Sequence, residues 1–379
     1  MWVPVAGLPP RLKLSALAGA GRFCIWESGA STRKHFPAKN HRGFSDSYPQ
    51  LLPYPDFNES PSSVSKCRLE PKRYVTSRRL AETVAQILRG KLERPRHLLL
   101  ECNPGPGILT QALLRTGAKV VALESDRTFI PHLESLRKNL PGSLEVIHCD
   151  FFKIDPRGGG LVRPPTMVSH TLFQNLGIEA RPWSAGIPLK VIGIFPIKNE
   201  RRTLWKFLYN LYACTSIYRY GRIELNMFIG EKEYQKLMAN KNSNLYDVLS
   251  VLWQIACEIK VLHVESLKPI EQKLYFIQMR PRRGLFTENL TPVNYDVFFH
   301  MLKHCFGKRS ARLIDHLHSL TPVDAKDILM QIQKSEKVKV THMHPQDFKR
   351  LFETIECSKD YAHKWLYDDS MGDTEHPEK

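Results

Sequence analysis

The sequence has 379 residues, 42% of them hydrophobic, which is enough for two domains with packed cores. Lysine and arginine total 55 against 38 acidic residues, and the net charge of +17 points to a polyanionic partner, nucleic acid first and an anionic membrane second. The 8 cysteines form no C-x-x-C pair and the histidines no ligand pattern, so no metal site or disulfide framework is expected. The absence of a long apolar run argues against a membrane span.

The first 44 residues resemble a mitochondrial presequence in composition. Residues 1–44 contain seven basic residues and one acid, and residues 11–25 can form a basic amphipathic helix. A secretory signal is the alternative, but its apolar portion would be short and interrupted by charge. We predict import into the mitochondrial matrix, followed at residues 45–69 by a flexible linker rich in Ser, Pro and Asn.

A nucleotide-binding βαβ unit is predicted at residues 95–126. A short apolar strand leads into the turn Asn103-Pro104-Gly105-Pro106-Gly107, a helix follows, and a second strand ends at Glu124. Glycines let a ligand lie against bare backbone, and an acid after the second strand can accept from two ribose hydroxyls. Because the two prolines remove N–H groups that would hold a pyrophosphate, a nucleoside such as S-adenosylmethionine is favoured over a dinucleotide.

The stretch ECNPGPGILT resembles the E-I-G-P-G-x-G-x-L-T motif of the rRNA adenine N6-dimethyltransferase family, and further matches extend over most of residues 70–360. The resemblance implies an α/β fold, a Rossmann-like class I methyltransferase sheet with a smaller C-terminal all-helical domain. It also implies S-adenosyl-L-methionine as cofactor, bound by Gly105, Gly107 and Glu124.

A helix with apolar positions from Leu80 onwards is predicted to be capped by Thr76 or Ser77, and the segment KRYVT before it resembles the family's Q-N-F-L motif. By that match Val75 contacts the cofactor through its backbone, while Arg73 replaces the family's Asn and weakens the site. Taken without the resemblance, a Tyr-Val pair before a helix is typical of a hydrophobic staple.

A third predicted strand ends at Cys149-Asp150. Acids at this end of a parallel strand bind ligands in α/β sheets, so Asp150 could accept from the adenine amino group, with Phe151 packing on the ring. The family has an Asp at this place. The alternative is that Asp150 only caps the turn that follows it.

The most informative departure from the family follows a fourth predicted strand, in GIFPI. Family members carry N-L-P-Y or N-L-P-F there, where the Asn accepts from the target amine and the aromatic ring stacks on the flipped base. Alignment on Gly193 and Pro196 places Ile194 at the Asn position and Ile197 at the aromatic position. Only the Phe195 ring and backbone carbonyls remain, so we predict no catalytic residue and weak chemistry at best.

Residues 291–360 are predicted to form a small helical domain, with Thr291-Pro292 and Thr321-Pro322 as helix starts. Lys308 and Arg309 lie in a segment that resembles the family's F-x-x-R-R-K. A solvated surface is the ordinary interpretation of such cations, but the net charge and the family favour phosphate contacts. Residues 361–379 are predicted to be an acidic tail.

Two functions follow from the resemblance, with residues 70–290 as the methyltransferase-like domain. The mitochondrial branch of the family works with mitochondrial RNA polymerase and an HMG-box mitochondrial transcription factor, and helps to open promoter DNA in the nucleoid. The alternative is dimethylation of two adjacent adenines in mitochondrial small-subunit rRNA. The two functions can coexist.

Overall fold

Seven strands form one sheet, in a computed structural model that describes residues 74–90, 98–156, 162–267, 272–358 and 364–366. The strands are β1 (Leu98–Cys102), β2 (Lys119–Glu124), β3 (Leu144–His148), β4 (Lys190–Ile194), β5 (Glu224–Gly230), β6 (Cys257–Leu267) and β7 (Gln272–Pro281). Their order is β3-β2-β1-β4-β5-β7-β6. The first five strands pair in parallel, and β7 runs antiparallel to both β5 and β6.

Helices cover both faces of the sheet and continue beyond it. The helices of the described residues are α1 (Arg78–Arg89), α2 (Ile108–Arg115), α3 (Ile130–Asn139), α4 (Ser169–Asn175), α5 (Glu200–Tyr212), α6 (Glu231–Leu237), α7 (Val248–Ala256), α8 (Tyr295–Gly307), α9 (Leu313–Leu320), α10 (Ala325–Gln331) and α11 (Pro345–Cys357). The predicted fold class, a Rossmann-like class I methyltransferase sheet with a helical C-terminal region, is confirmed. None of these helices is long and apolar enough to span a bilayer.

Two hydrophobic cores explain why the sheet is covered on both sides. β1, β2 and β4 are apolar along nearly their whole length, which is typical of parallel strands buried on both faces. One core packs α1 and α2 against Leu99, Val120 and Ile192. The other starts from residues such as Leu225 and continues without interruption to Phe348 in α11.

The helices after β7 therefore share a core with the sheet. The division into domains at residues 70–290 and 291–360 stays a prediction. The predicted presequence, the linker and all of the acidic tail except residues 364–366 lie outside the described residues.

Local side-chain hydrogen bonds explain why one predicted helix start is correct and two are wrong. The Ser77 hydroxyl accepts from the N–H of Leu80 at 3.3 Å, so α1 begins where the sequence predicts. The predicted starts at Pro292 and Pro322 are wrong, since α8 begins at Tyr295 and α10 at Ala325. Before α8, the amide oxygen of Asn294 accepts from the N–H of Thr291 at 2.8 Å, so the threonine and proline belong to a turn rather than to the helix.

Candidate cofactor and nucleic-acid site

The C-terminal ends of the parallel strands bring four predicted features to one edge of the sheet. Asp150 follows β3, Glu124 ends β2, the turn at residues 103–107 follows β1, and Ile194 ends β4. Because neighbouring strands lie about 4.8 Å apart, Glu124 and Ile194 are separated by about 10 Å, roughly the length of a nucleoside. Ligands of open α/β sheets bind at this edge.

The turn after β1 has a backbone that only glycine adopts easily. Gly105 has φ +61° and Gly107 has φ +76°. A Cβ on Gly105 would lie 2.3 Å from Cδ1 of Tyr74, so this glycine is required by the ring of Tyr74 as well as by any ligand. The segment that resembles Q-N-F-L is thus packed directly on the glycine turn.

Asn103 stands where the family motif has its first glycine. It keeps the left-handed backbone, with φ +49°, which asparagine tolerates better than most residues. Its amide oxygen accepts from the hydroxyl of Ser125 at 2.5 Å, linking the turn to the residue after β2. The substitution therefore preserves the turn but adds a polar side chain at the edge of the site.

Glu124 is fully buried, with 0% of its surface exposed. One carboxylate oxygen accepts from the N–H of Gly105 at 2.8 Å, and the other accepts from the N–H of Asp126 at 2.6 Å. These bonds fix the glycine turn against the end of β2. The acid predicted to bind a ribose thus already has a structural role.

Tyr74 is the residue of this region that the sequence analysis did not single out. Its ring meets Phe129 edge-on, with centroids 5.1 Å apart. Burial raises the pKa of its hydroxyl to about 12, and the charges of Glu124 and Asp126 add to the increase. Val75, beside it, is buried in the core of α1 and β1. The aromatic position of the Q-N-F-L motif was the available signal for Tyr74.

Glu101, the first residue of the motif, lies inside the sheet and is 1% exposed. The hydroxyl of Thr110 donates to its Oε2 at 2.7 Å. Burial raises the pKa of Glu101 to about 8, the Thr110 hydrogen bond opposes this, and the charge of Glu124 adds to it. A neutral Glu101 near pH 7 avoids a second carboxylate charge beside Glu124.

Asp150 caps the turn after β3, which was the alternative interpretation of this residue. Its Oδ1 accepts from the N–H of Phe152 at 3.1 Å, and its Oδ2 lies 3.7 Å from the Lys153 ammonium. Phe151 is 1% exposed and stacks on Phe207 in the core, so the expectation that it packs on adenine is wrong. The half-buried ring at this position is Phe152.

The end of β4 is apolar. Ile194 is half-buried, and Ile197 is 39% exposed. Phe195 is 1% exposed, with its ring centroid 6.0 Å from that of Phe152, so the one aromatic ring that remains in this segment belongs to the aromatic core. Gly193 is fixed by packing, since a Cβ there would lie 2.8 Å from Cβ of Cys102. No side-chain acceptor from Ile194, Phe195 or Ile197 replaces the family's asparagine.

The residues present fit an adenosyl group in type and in position. Glu124 and Asp150 supply acceptors, and the turn at Gly105 supplies bare backbone. Access is closed, however, because Glu124 is fully buried and Tyr74 packs on the turn to which it is bonded. The carboxylate of Glu124 is therefore out of contact with solvent while Tyr74 packs on the turn.

Lys308 and Arg309, which follow α8, have different environments. Lys308 is exposed and forms no ion pair within the described part of the chain. The guanidinium of Arg309 donates to the carbonyls of Ser243 at 2.8 Å and Asn244 at 3.0 Å, in the loop after α6. Arg309 thus joins the helical region to the sheet, and Lys308 has its ammonium in solvent.

A model of the ribosomal RNA adenine dimethylase family matches residues 73–356. The chain belongs to this family. The family predicted from the sequence motifs is confirmed by this match.

The relatives include two long matches. Dimethyladenosine transferase 2, mitochondrial, from Homo sapiens is 67% identical, covering 98% of this chain and 100% of that protein. The protein of the same name from Rattus norvegicus is 56% identical, covering 97% of this chain and 98% of that protein. Among solved structures, a dimethyladenosine transferase from Plasmodium falciparum has 17% identity and a TM-score of 0.49, covering 71% of this chain and 93% of that chain.

Proposed function

We propose that this member of the rRNA adenine dimethylase family is a mitochondrial transcription initiation factor. It binds promoter DNA with mitochondrial RNA polymerase and an HMG-box mitochondrial transcription factor, and helps to melt the duplex in the nucleoid of the matrix. The location is supported by two relatives that are named as mitochondrial, and by the basic first 44 residues.

The observation that carries the proposal is the apolar end of β4. A family site that flips an adenine already accommodates an unstacked nucleotide, and the side chains of Ile194, Phe195 and Ile197 offer no acceptor for the amine. An apolar edge suits the holding of an unpaired base better than the activation of its amine. Lys308 supplies an exposed cation for the strand backbone.

Dimethylation of two adjacent adenines in mitochondrial small-subunit rRNA is the second function, and we expect it to be weak. S-adenosyl-L-methionine would supply the electrophilic methyl group, held by Val75, Gly105, Gly107, Glu124 and Asp150. Family membership and the position of these residues along one sheet edge favour it. The rRNA would bind on the same basic surface as the DNA.

A promoter-dependent run-off assay with the mitochondrial polymerase and the HMG-box factor tests the first function. We expect transcripts to depend on this protein on a duplex promoter and to lose most of that dependence on a premelted promoter, because melting is then supplied in advance. Equal transcription of the duplex with and without the protein would remove the proposal. The premelted template is the control for a polymerase that is itself inactive.

A further inference from the structure

A second basic site lies at the opposite edge of the sheet from Glu124. β7 runs antiparallel to β5, and Met279 near its end pairs with Leu225 near the start of β5. The residues after Met279 therefore lie where the parallel strands begin. A cavity of about 440 Å³ opens there; its charged lining, which we name the arginine pocket, consists of Arg222, Glu258, Arg280, Arg282, Arg283 and Lys349.

Arg222 forms the floor of the arginine pocket with a charge that no carboxylate balances. It is 6% exposed, and its guanidinium donates to the carbonyls of Trp183 at 2.9 Å, Ala185 at 2.6 Å and Pro281 at 3.1 Å. These partners are neutral, and the described residues offer Arg222 no ion pair. Burial lowers the pKa of Arg222, and the charges of Arg283 and Arg280 lower it further. Mutual repulsion between the guanidinium groups is the physical sign of an uncompensated positive field.

The rim of the arginine pocket adds two more arginines. Arg282 and Arg283 are exposed, and neither forms an ion pair within the described ranges. Lys349 of α11 is buried, donates to the carbonyl of Gly284 at 2.6 Å and lies 3.7 Å from Glu353. Arg222, Arg282, Arg283 and Lys349 thus come from three separate segments and meet at one cavity.

The acids near the arginine pocket are already paired. Glu224 accepts from Arg280 at 2.8 Å and lies 3.6 Å from the ammonium of Lys190. Glu258, the acid of the lining, pairs with Lys260 at 2.7 Å. Arg280 is thus balanced by Glu224, and Glu258 also interacts with the charge of Arg282, whereas Arg222 and Arg283 form no ion pair within the described residues.

We propose that the arginine pocket binds a phosphoryl group. The exposed guanidinium groups of Arg282 and Arg283 match its several acceptor oxygens, because arginine presents a planar fork of donors, and Arg222 adds a buried positive charge. The cavity is large enough for one nucleotide rather than for a single chloride-sized ion. Two sources offer this chemistry: a backbone phosphate of a nucleic acid, or free phosphate and mononucleotides.

The arginine pocket is separate from the site of the proposed function. Lys308 follows α8 and Arg309 bonds to the loop after α6, which itself follows the C-terminal end of β5. The arginine pocket lies where β5 begins. Phosphate binding there requires neither promoter melting nor methyl transfer, so each of the two proposals can fail without the other.

Calorimetric titration of the full chain with inorganic phosphate tests the proposal. The pocket variant Arg282→Gln with Arg283→Gln removes two exposed guanidinium groups. The control variant, Arg79→Gln with Arg89→Gln on α1, removes the same charge from exposed positions outside the pocket. We expect the pocket variant to bind phosphate at least about tenfold more weakly, the loss of one charged hydrogen bond, and the control to bind as the natural chain does.

A single-stranded oligonucleotide titrated against the same proteins distinguishes the two sources. If the pocket binds the backbone of a nucleic acid, the pocket variant alone should bind the oligonucleotide more weakly, with a salt slope reduced by about 0.7. Inorganic phosphate should then compete with the oligonucleotide. If only inorganic phosphate responds to the substitution, the source is a free phosphate or a mononucleotide. Equal phosphate binding by the natural chain and the pocket variant, or tighter binding of an acidic peptide than of phosphate, would overturn the proposal. Thermal unfolding checks that the pocket variant is folded, and Arg283→Gln alone replaces it if it is not.

Discussion

The two halves of the sheet edge that carries the candidate site differ in chemistry. The half at β2 and β3 keeps polar acceptors, Glu124 and Asp150, whereas the half at β4 presents Ile194 and Ile197. Holding a nucleoside needs acceptors for hydroxyls and a bare backbone, whereas activating an amine needs an acceptor placed at the nitrogen. One requirement can be lost while the other is kept, because they belong to different strands.

The polar half has itself become part of the structure. Glu124 uses both oxygens to hold the N–H groups of Gly105 and Asp126, and Asp150 caps the turn at Phe152. Groups that bind the protein's own backbone stabilise the fold whether or not a ligand is used. The presence of Glu124 and Asp150 is therefore only weak support for catalysis. The missing acceptor at Ile194 is the stronger observation, and it argues against catalysis.

The largest expected effect concerns the rate of methyl transfer. We expect turnover with radiolabelled S-adenosylmethionine and an rRNA hairpin to be two to three orders of magnitude below that of a family enzyme that keeps the asparagine, about 3–4 kcal/mol. Ile194→Asn returns one acceptor to the end of β4 and should raise the rate by about tenfold or more. Ile197→Asn adds the same amide at an exposed position and serves as the matched control.

Turnover of the natural chain equal to that of such an enzyme would break the comparison between the two halves. An increase with Ile197→Asn but not with Ile194→Asn would show that the alignment on Gly193 and Pro196 is displaced. Cofactor binding measured in parallel distinguishes two causes of slow turnover, a closed site that does not bind S-adenosylmethionine and a missing acceptor at Ile194.

The next prediction concerns the packing of the Tyr74 ring on Gly105, which keeps the cofactor site closed. Gly105→Ala forces a Cβ to 2.3 Å from the Tyr74 ring at φ +61°, and it should lower the free energy of unfolding by about 3 kcal/mol. Gly117→Ala is the control, since φ is +82° with nothing within 4 Å of the added Cβ, and it should cost about 1 kcal/mol. Denaturant titration measures both.

A double-mutant cycle sharpens this result. In a chain that carries Tyr74→Ala, the steric part of the Gly105→Ala cost should disappear and only the backbone cost should remain. Equal costs of Gly105→Ala with and without the ring would mean that Tyr74 moves aside freely. The cofactor half would then be open rather than closed.

A smaller effect follows from the buried acid of the motif. The pKa of Glu101 is raised to about 8 in the folded protein from 4.5, so between these values the folded chain binds a proton that the unfolded chain has lost. The stabilising contribution is complete below about pH 4.5 and is lost as the pH rises towards 8. Glu101→Gln removes this dependence, and between pH 5 and 7 the natural chain should lose about 2 kcal/mol relative to the variant.

Denaturant midpoints of the two proteins at both pH values measure the difference. All other titrating groups are common to both proteins and cancel. Parallel pH dependences would show that Glu101 is ionised in the folded state. The polar half would then carry two neighbouring carboxylate charges.

The order of the elements could be predicted because it depends on local patterns. The apolar run of β1, the glycines after it and the acid of β2 are contiguous, and helix α7 followed directly by β6 is visible in the sequence of apolar and β-branched residues. The starts of α8 and α10 could not be placed, since Thr-Pro suits both a helix start and a turn, and side chains such as Asn294 decide between them.

The sequence predicts which segments form the site, but not the side-chain contacts within it. That Tyr74 rests on Gly105, and that Arg309 bonds to Ser243, depends on contacts between residues far apart in the sequence. The same holds for Arg222, whose three carbonyl partners lie on two separate segments. Residue type alone does not separate a cation that binds backbone from one that binds phosphate.

The smallest expected effect concerns the two cations after α8. Lys308→Ala should reduce the dependence of DNA affinity on salt by about 0.9 in slope, the contribution of one phosphate contact, and leave stability within about 0.5 kcal/mol. Arg309→Ala should instead lower the free energy of unfolding by about 2 kcal/mol, because two carbonyls lose a charged donor. The matched pair is informative because the residues are adjacent and carry the same charge.

Each variant is measured in both assays, affinity over a range of salt and unfolding by denaturant. If Lys308→Ala leaves the salt slope unchanged, Lys308 is only a solvated cation and the contact with the DNA backbone must be sought elsewhere. If Arg309→Ala weakens DNA binding without a loss of stability, its bonds to Ser243 and Asn244 give way to phosphate in the complex. A protein that holds an unpaired base also needs contacts to the phosphate backbone of the strand, and only a reduced salt slope in Lys308→Ala places such a contact at Lys308.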